Sequence, residues 1–302
     1  MIERDAVSEG VPTTVADALR VVTVAIDRAN VGDTPRLDAE LLVGHVAELD
    51  RVGLRTHGDD RVLEPEQWRT LDVLVGRRLE GEPIAYLLGT AWFYGREFEV
   101  DHRVLVPRPE TELLVELALE HFADHARSAT FVDACTGSGC VAVSIAAELG
   151  ERARVLATDI SGDALDVARA NAARHGVSID FRAGDLLEPV GDVTRAAAIV
   201  ANPPYVEGAE ATGLEAGVRD HEPHVALFVP DGDDVAGFYG RLAAQALPLL
   251  EEGGLFAVEH GQHQRSLVAS ALRSAGFVDV EGRDDLAGVD RVVLGYRPGA
   301  DR

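Results

Sequence analysis

The chain has 302 residues, 46% of them hydrophobic, and a formal net charge of −24 from 52 acidic residues against 28 cations, every one an Arg. Such a length holds one large domain or a catalytic domain with a smaller one, and no apolar run approaches the ~20 residues of a membrane span. An acidic surface repels nucleic acid outside local Arg clusters, which argues against stable nucleic-acid binding. The start Met1-Ile2-Glu3-Arg4-Asp5 lacks the basic and then apolar pattern of a signal peptide, and two cysteines, Cys135 and Cys140, do not make a disulfide framework. A reduced, cytoplasmic protein is expected.

From Val11 to Leu79 the pattern is helical. Thr14 can cap a segment whose apolar residues Val15, Leu19, Val22 and Ile26 share one face. A second segment after Pro35 carries Leu37, Leu41, Leu42 and Val46. A third opens at Glu64-Pro65-Glu66 and runs through Trp68, Leu71, Leu74 and Leu79. These read as a small bundle of the kind that recognises partners, with Trp68 as ordinary packing. Gly81-Glu82-Pro83-Ile84 breaks the pattern. Residues from Ala91 to Val106 favour strand (Trp92, Phe93, Tyr94, Phe98, Val100, Val104, Val106), with a turn at Gly95-Arg96, and Pro107–Glu112 then opens a helix. The expected division is a helical substrate-recognition domain over 1–82, a hairpin linker over 83–107 and a catalytic domain over 108–302.

From Ala129 onward apolar strands alternate with helices, the signature of a parallel sheet covered on both faces. Strands are predicted at Thr130–Ala134, Val155–Thr158, Ile179–Phe181, Ala196–Ala201, Gly254–Glu259, Phe277–Glu281 and Val289–Tyr296. Helices are predicted at Gly139–Leu149, Asp163–His175, Val235–Leu250 and Gln264–Ala275. The last two strands form a hairpin, so the fold class is α/β, a seven-strand doubly wound sheet with one antiparallel strand. The tail Arg297–Arg302 is expected to fray.

Two stretches can carry chemistry. Asp133-Ala134-Cys135-Thr136-Gly137-Ser138-Gly139 lies between a strand and a helix, where glycines let the backbone approach a ligand and free N–H groups face it. Gly137-x-Gly139-x-x-Ala142 satisfies a loose dinucleotide fingerprint. Asp159 ends the next strand, where a carboxylate can accept both ribose hydroxyls; Ser161 is free to cap the following helix instead. Asp185, followed by Leu186, ends the third strand, where it can meet an adenine amino group. These features suit a nicotinamide dinucleotide or S-adenosylmethionine alike.

Asn202-Pro203-Pro204-Tyr205, at the end of the buried strand Ala196–Ala201, decides between them. Two prolines remove two donors and stiffen the turn. Asn202 adds a side-chain carbonyl and Tyr205 a flat ring. With the Pro203 carbonyl, these groups can grip a planar NH2 group. A hydride-transfer enzyme has no use for such a clamp; a methyltransferase acting on an sp2 nitrogen does. The predicted catalytic residues are therefore Asn202, Pro203 and Tyr205, with Pro204 completing the substrate turn, and the predicted cofactor is S-adenosylmethionine. Asn202 also borders the cofactor site formed by Asp133, Cys135–Gly139, Asp159, Asp185 and Leu186. His221-Glu222-Pro223-His224 and His260-Gly261-Gln262-His263 suggest a metal only weakly, since Pro223 spoils a helical ligand pair, and no metal is expected. Ser138 and Ser144 have no base arranged beside them for nucleophilic hydrolysis.

Across nearly its whole length the chain resembles the bacterial class I protein-glutamine N5-methyltransferases, the HemK/PrmC family. The resemblance rests on Pro35–Glu40, Gly81–Tyr86, Leu105–Glu112, the Thr136–Gly139 loop, Asn202–Tyr205, Glu222-Pro223 with Ala226-Leu227, and Glu259-His260-Gly261. It implies a class I S-adenosylmethionine-dependent methyltransferase that acts on the glutamine amide of the Gly-Gly-Gln motif in class I peptide chain release factors; a monomer with no membrane partner is expected. A sister branch modifies ribosomal protein L3. Ala134-Cys135 depart from the Leu-Gly usual in the release-factor branch, and the loop through Cys140 with Ala91–Phe93 looks more like the sister branch. The helical domain, Arg108–Glu112 and Glu259–Gly261 look like the release-factor branch, which is the reading adopted. A nucleic-acid amino-group methyltransferase and a non-catalytic module that binds translation factors are the rivals. The first lacks an evident basic groove, and the second would not require both Asp159 and Asn202–Tyr205.

Overall fold

The computed structural model describes residues 14–123 and 128–299. The Met1–Asp5 start, the first residues of the stretch predicted helical from Val11, and the last three residues of the expected tail lie outside them. The chain divides into two units, Met1–Gly89 with Leu214–His221, and Thr90–Gly213 with Glu222–Arg302.

The first unit is helical: α1 Val15–Ala29, α2 Pro35–Ala47, α3 Arg51–His57, α4 Pro65–Leu79 and α5 Ile84–Leu88. The Thr14 hydroxyl accepts the Asp17 N–H and starts α1, whose Val15, Leu19, Val22 and Ile26 are all buried. In α2 the buried stripe is Asp38, Ala39, Leu42, Val43 and Val46, while Leu37 and Leu41 are exposed, contrary to a reading by hydrophobicity alone. The reason is an ion pair. Arg78 of α4 meets Asp38 at 2.8 Å, both side chains are under 10% exposed, and the pair fixes which side of α2 turns inward. Removing one partner would strand a buried charge, at a cost of about 3–5 kcal/mol. Trp68 packs against this core. The short helices α3 and α5 were not predicted; α5 is a single turn after the Gly81–Pro83 break.

The second unit opens with a hairpin, β1 Thr90–Phe93 and β2 Arg96–Glu99. Phe93 pairs with Arg96, so the turn is Tyr94-Gly95 and not Gly95-Arg96. Both turn residues have positive φ, 49° and 71°, which suits the twist of a two-residue hairpin. Val100, Val104 and Val106 belong to no strand. Val104 N–H bonds back to the Asp101 carbonyl in a turn, and Val106 N–H donates to the Glu222 carboxylate, so these backbone groups are satisfied outside a ladder. A short 3-10 turn, Pro109–Thr111, leads into α6, Glu112–Phe122.

Next come β3 Ala129–Ala134, α7 Cys140–Leu149, β4 Ala153–Asp159, α8 Gly162–Arg174, β5 Ile179–Ala183 and β6 Ala196–Ala201. After α9 Ala216–His221, which belongs to the first unit, and α10 His224–Leu227 follow α11 Val235–Leu249, β7 Leu250–Glu259, α12 Arg265–Ala275, β8 Val278–Asp284 and β9 Asp290–Tyr296. The sheet order is β5-β4-β3-β6-β7-β9-β8, parallel except for β9, which runs antiparallel to both neighbours. The seven strands stand where the alternation placed them, and β7 starts four residues early at Leu250, with a register shift against β6. Successive side chains serve opposite faces. Val132, Leu156, Ile199 and Phe256 pack towards α11 and α12, whereas Phe131, Val155, Val200 and Leu255 pack towards α6 and α7.

Candidate active site

The chain builds outward from β3 through β4 to β5, then returns to place β6 on the other side of β3, where Ala134 pairs with Ala201. This reversal opens a crevice beyond the carboxyl ends of β3, β4 and β6, the place where such sheets hold ligands. A cavity with about 1010 Å³ of empty space, its open mouth included, occupies it. Asp133, Cys135, Thr136, Gly137, Ser138, Asp159, Asp185, Leu186, Asn202 and Pro204 line it; Gly139, Pro203 and Tyr205 do not.

The loop after β3 is tied from within and from β4. The Asp133 carboxylate, buried, accepts the Thr136 hydroxyl at 2.6 Å and the Ala142 N–H at 3.2 Å, and burial pushes its pKa up to about 7. Thr136 N–H reaches the Thr158 carbonyl, and Gly139 N–H the Thr136 carbonyl. Cys135, Gly137 and Gly139 all have positive φ, at 58°, 53° and 79°. A Cβ on Gly139 would lie 3.0 Å from the Ala168 Cβ, so glycine there admits α8; a Cβ on Gly137 would meet nothing within 4 Å, so glycine there serves the backbone turn and leaves the cavity side clear. The fully buried Asn171 donates to the Ser138 carbonyl and bonds both backbone groups of Glu99. Burial raises the Cys135 thiol well above its usual range, which removes it as a nucleophile at neutral pH.

Asp159 bridges β4 to this loop: Oδ2 accepts the Gly137 N–H and Oδ1 the Ser161 N–H, each at 2.9 Å. Helix capping falls to Ser161, whose hydroxyl accepts the Ala164 N–H. Burial raises the Asp159 pKa, opposed by these backbone bonds. A carboxylate carries about four lone-pair sites, so acceptor capacity remains for a diol. Asp185 follows β5 and lines the cavity, and its carboxylate pairs with Arg241. That guanidinium also holds Asp233 at 2.7 Å and lies over the Phe238 ring. Leu186 has a positive φ, 48°, and its carbonyl accepts the Thr158 hydroxyl at 2.6 Å.

The turn after β6 is held by distant parts of the chain. Asn202 Nδ2 donates to Thr111 Oγ1 at 3.1 Å, and Thr111 Oγ1 donates to Glu259 Oε2 at 2.7 Å. Thr111 and Glu259 are 3% and 2% exposed. Burial pushes the Glu259 pKa up to about 7, against the lowering effect of the Thr111 bond. The Gln264 amide donates to the Tyr205 carbonyl at 2.9 Å, and burial pushes the Tyr205 phenol up to about 12. The Thr111 bond fixes which end of the Asn202 amide faces it and leaves the carbonyl oxygen available as an acceptor. Glu222 accepts both Val106 N–H and the Arg108 guanidinium, anchoring another wall of the cavity.

Sequence reasoning missed Thr111 and Glu259 as supports of Asn202, and Arg103, Arg108, Ile160 and Phe238 as cavity wall. Arg108 and Thr111 belong to the Arg108–Glu112 run and Glu259 to the Glu259–Gly261 run, so both runs carried a signal; no local pattern says that they meet.

Two family profiles match the chain: the PrmC N-terminal domain over residues 17–89 and the Methyltransferase small domain over residues 110–218. The chain is similar to the release factor glutamine methyltransferase of Chlorobaculum tepidum, at 41% identity over 89% of this chain and 92% of that one. It is similar also to that of Neisseria gonorrhoeae, at 42% identity over 86% and 93%. Among solved structures, the catalytic domain of hMettl16 matches with a TM-score of 0.54 over 79% of this chain and 84% of that one, at 14% identity, a likeness of fold alone. With a doubly wound sheet, a cavity at its switch point and relatives matched nearly end to end, the chain belongs to the release factor glutamine methyltransferase family.

Proposed function

We propose that this protein transfers the methyl group of S-adenosylmethionine to the side-chain amide nitrogen of the glutamine in the Gly-Gly-Gln motif of class I peptide chain release factors. The observation that carries the reading is Asn202: the residue lines the cavity and its amide nitrogen is tethered to Thr111, which orients the amide and leaves its carbonyl oxygen available to accept from a substrate N–H.

The cavity fits the cofactor. The side of Gly137 is clear of other atoms, and Asp159 is a fixed carboxylate with acceptor capacity for the ribose diol. Asp133 and residues Cys135–Gly139 would form the loop side of that site, with Leu186 at the adenine end; Asp185 would serve there while sharing its charge with Arg241. When bound, the cofactor supplies a methyl group activated on a sulfonium sulfur. A glutamine nitrogen is a weak nucleophile because its lone pair is shared with the carbonyl. In our reading Asn202 Oδ1 and the Pro203 carbonyl accept its two N–H bonds and aim the nitrogen, while Pro204 stiffens the turn and Tyr205 packs against the amide. Rate enhancement then comes from orientation and electrostatics, with no strong base required before attack.

We further take the helical stretch over 1–82 as the element that recognises the release factor, 83–107 as a linker and 108–302 as the catalytic part. No helix of the described residues is long and apolar enough to cross a membrane. We read the enzyme as a cytoplasmic monomer with no stable nucleic-acid partner.

Asn202→Ala tests the reading. Titration calorimetry should give nearly unchanged cofactor affinity, while transfer to a purified release factor falls by about 1,000-fold. Near-wild-type transfer by a variant that binds cofactor normally would end the clamp reading.

A further inference from the structure

Thr111 has one hydroxyl proton and two neighbours for it. Its Oγ1 lies 3.1 Å from the Asn202 amide and 2.7 Å from Glu259 Oε2. An ionised carboxylate offers only lone pairs, so the hydroxyl proton must point at Glu259. Oγ1 then shows lone pairs alone towards Asn202, and only the NH2 end of the amide can meet them. The carbonyl end is left for the substrate. If Glu259 instead carries a proton on Oε2, it donates to Thr111 and frees the hydroxyl proton to turn to Asn202, where it calls for the carbonyl end of the amide. An NH2 group would then face the substrate NH2, donor against donor.

From this geometry we propose that Thr111 and Glu259 are positioning residues that set which end of the Asn202 amide faces the acceptor glutamine, with ionised Glu259 as the competent state. The proposal rests on the clamp reading of Asn202 given above and adds what orients the clamp.

The surroundings of Glu259 place its ionisation in a useful range. Burial at the end of β7 disfavours the anion, Thr111 and the Arg291 and Arg108 guanidinium groups favour it, and Glu110 opposes it; the balance lies at about 7. Tyr205, from the turn after β6, Tyr239, from α11, and Cys140, at the start of α7, also feel its charge, and the Tyr239 hydroxyl is committed to the Glu259 backbone carbonyl at 2.8 Å. The neighbouring His260 ring bonds the Gly261 carbonyl through Nδ1 and does not enter the relay. Because the ionised form is the competent one, kcat should rise as pH rises through the neutral range and fall on the acid side.

The test uses the full-length enzyme saturated with S-adenosylmethionine, a purified class I release factor, and kcat and KM measured from about pH 6 to about pH 9. Thr111→Val should lower kcat by about 100-fold, move KM much less, and leave cofactor affinity by calorimetry nearly unchanged. Thr111→Ser, which keeps the hydroxyl, should recover most of the loss. Glu259→Gln, which cannot ionise, should lower kcat and erase its rise through neutrality. A wild-type kcat in Thr111→Val, a Glu259→Gln profile that keeps the wild-type acid limb, or no rescue by Thr111→Ser would each overturn the proposal. Asn202→Ala separates the two levels. If it is inactive while the Thr111 and Glu259 variants behave as wild type, the relay fails and the clamp stands. If it too is active, the clamp reading fails and takes the relay with it.

Discussion

The two loops that flank the switch point are built in opposite ways. The loop after β3 is secured mainly by its own residues and the strand beside it, Asp133 with Thr136, Thr136 with Thr158, Gly139 with Thr136, and Gly137 with Asp159, with Asn171 of α8 adding a bond to Ser138. The turn after β6 takes its hold from far along the chain, from Thr111, 91 residues before Asn202, and from Gln264, 59 residues after Tyr205. A surface that cradles a cofactor needs a rigid backbone shape, which local bonds can supply. A single amide that must present one end rather than the other needs an outside reference. The difference teaches that binding and transfer should be separable by mutation in this enzyme.

The largest expected effect on the first loop comes from Asp159→Ala. It removes the proposed diol acceptor and leaves the Gly137 and Ser161 N–H groups without their partner. Cofactor affinity by calorimetry should fall about 30-fold, while kcat at saturating cofactor changes little. That is the mirror image of Asn202→Ala, and equal losses of binding and kcat in both variants would break the comparison. Gly139→Ala should have a smaller effect, on stability. It forces a Cβ to within 3.0 Å of the Ala168 Cβ at a φ of 79° and should cost about 1–3 kcal/mol in urea unfolding. The orientation of Asn202 lies outside this contact, so kcat of the folded fraction should stay near wild type; a larger loss of kcat than of stability would mean the two loops are coupled.

The same contrast explains how much was legible in the sequence. The strands and helices from Ala129 onward follow from short apolar runs alternating with helical periodicity, because both faces of the sheet are covered and each strand must be apolar throughout. The loop after β3 was legible as well, since its glycines and Asp159 mark themselves by position. What stayed hidden depends on contacts across long separations. Asp38 turns the face of α2 towards Arg78, 40 residues away, and exposes Leu37 and Leu41. Val106 looks like strand, but its N–H goes to Glu222, 116 residues on. The turn at Tyr94-Gly95 was missed by one residue because strand register, not composition, locates it. Thr111 and Glu259 read as a helix start and a strand end; nothing local says that they share Asn202. The arrest of Asp185 by Arg241 was hidden for the same reason.

The central claim is that the acceptor is one glutamine amide of a release factor. Incubating the enzyme with isotopically labelled S-adenosylmethionine and, separately, a purified class I release factor, ribosomal protein L3 and DNA, followed by peptide mass spectrometry, tests it most directly. The account predicts one added methyl group on the glutamine of the Gly-Gly-Gln motif, absent with Asn202→Ala. Label found only on L3 or only on DNA would contradict it.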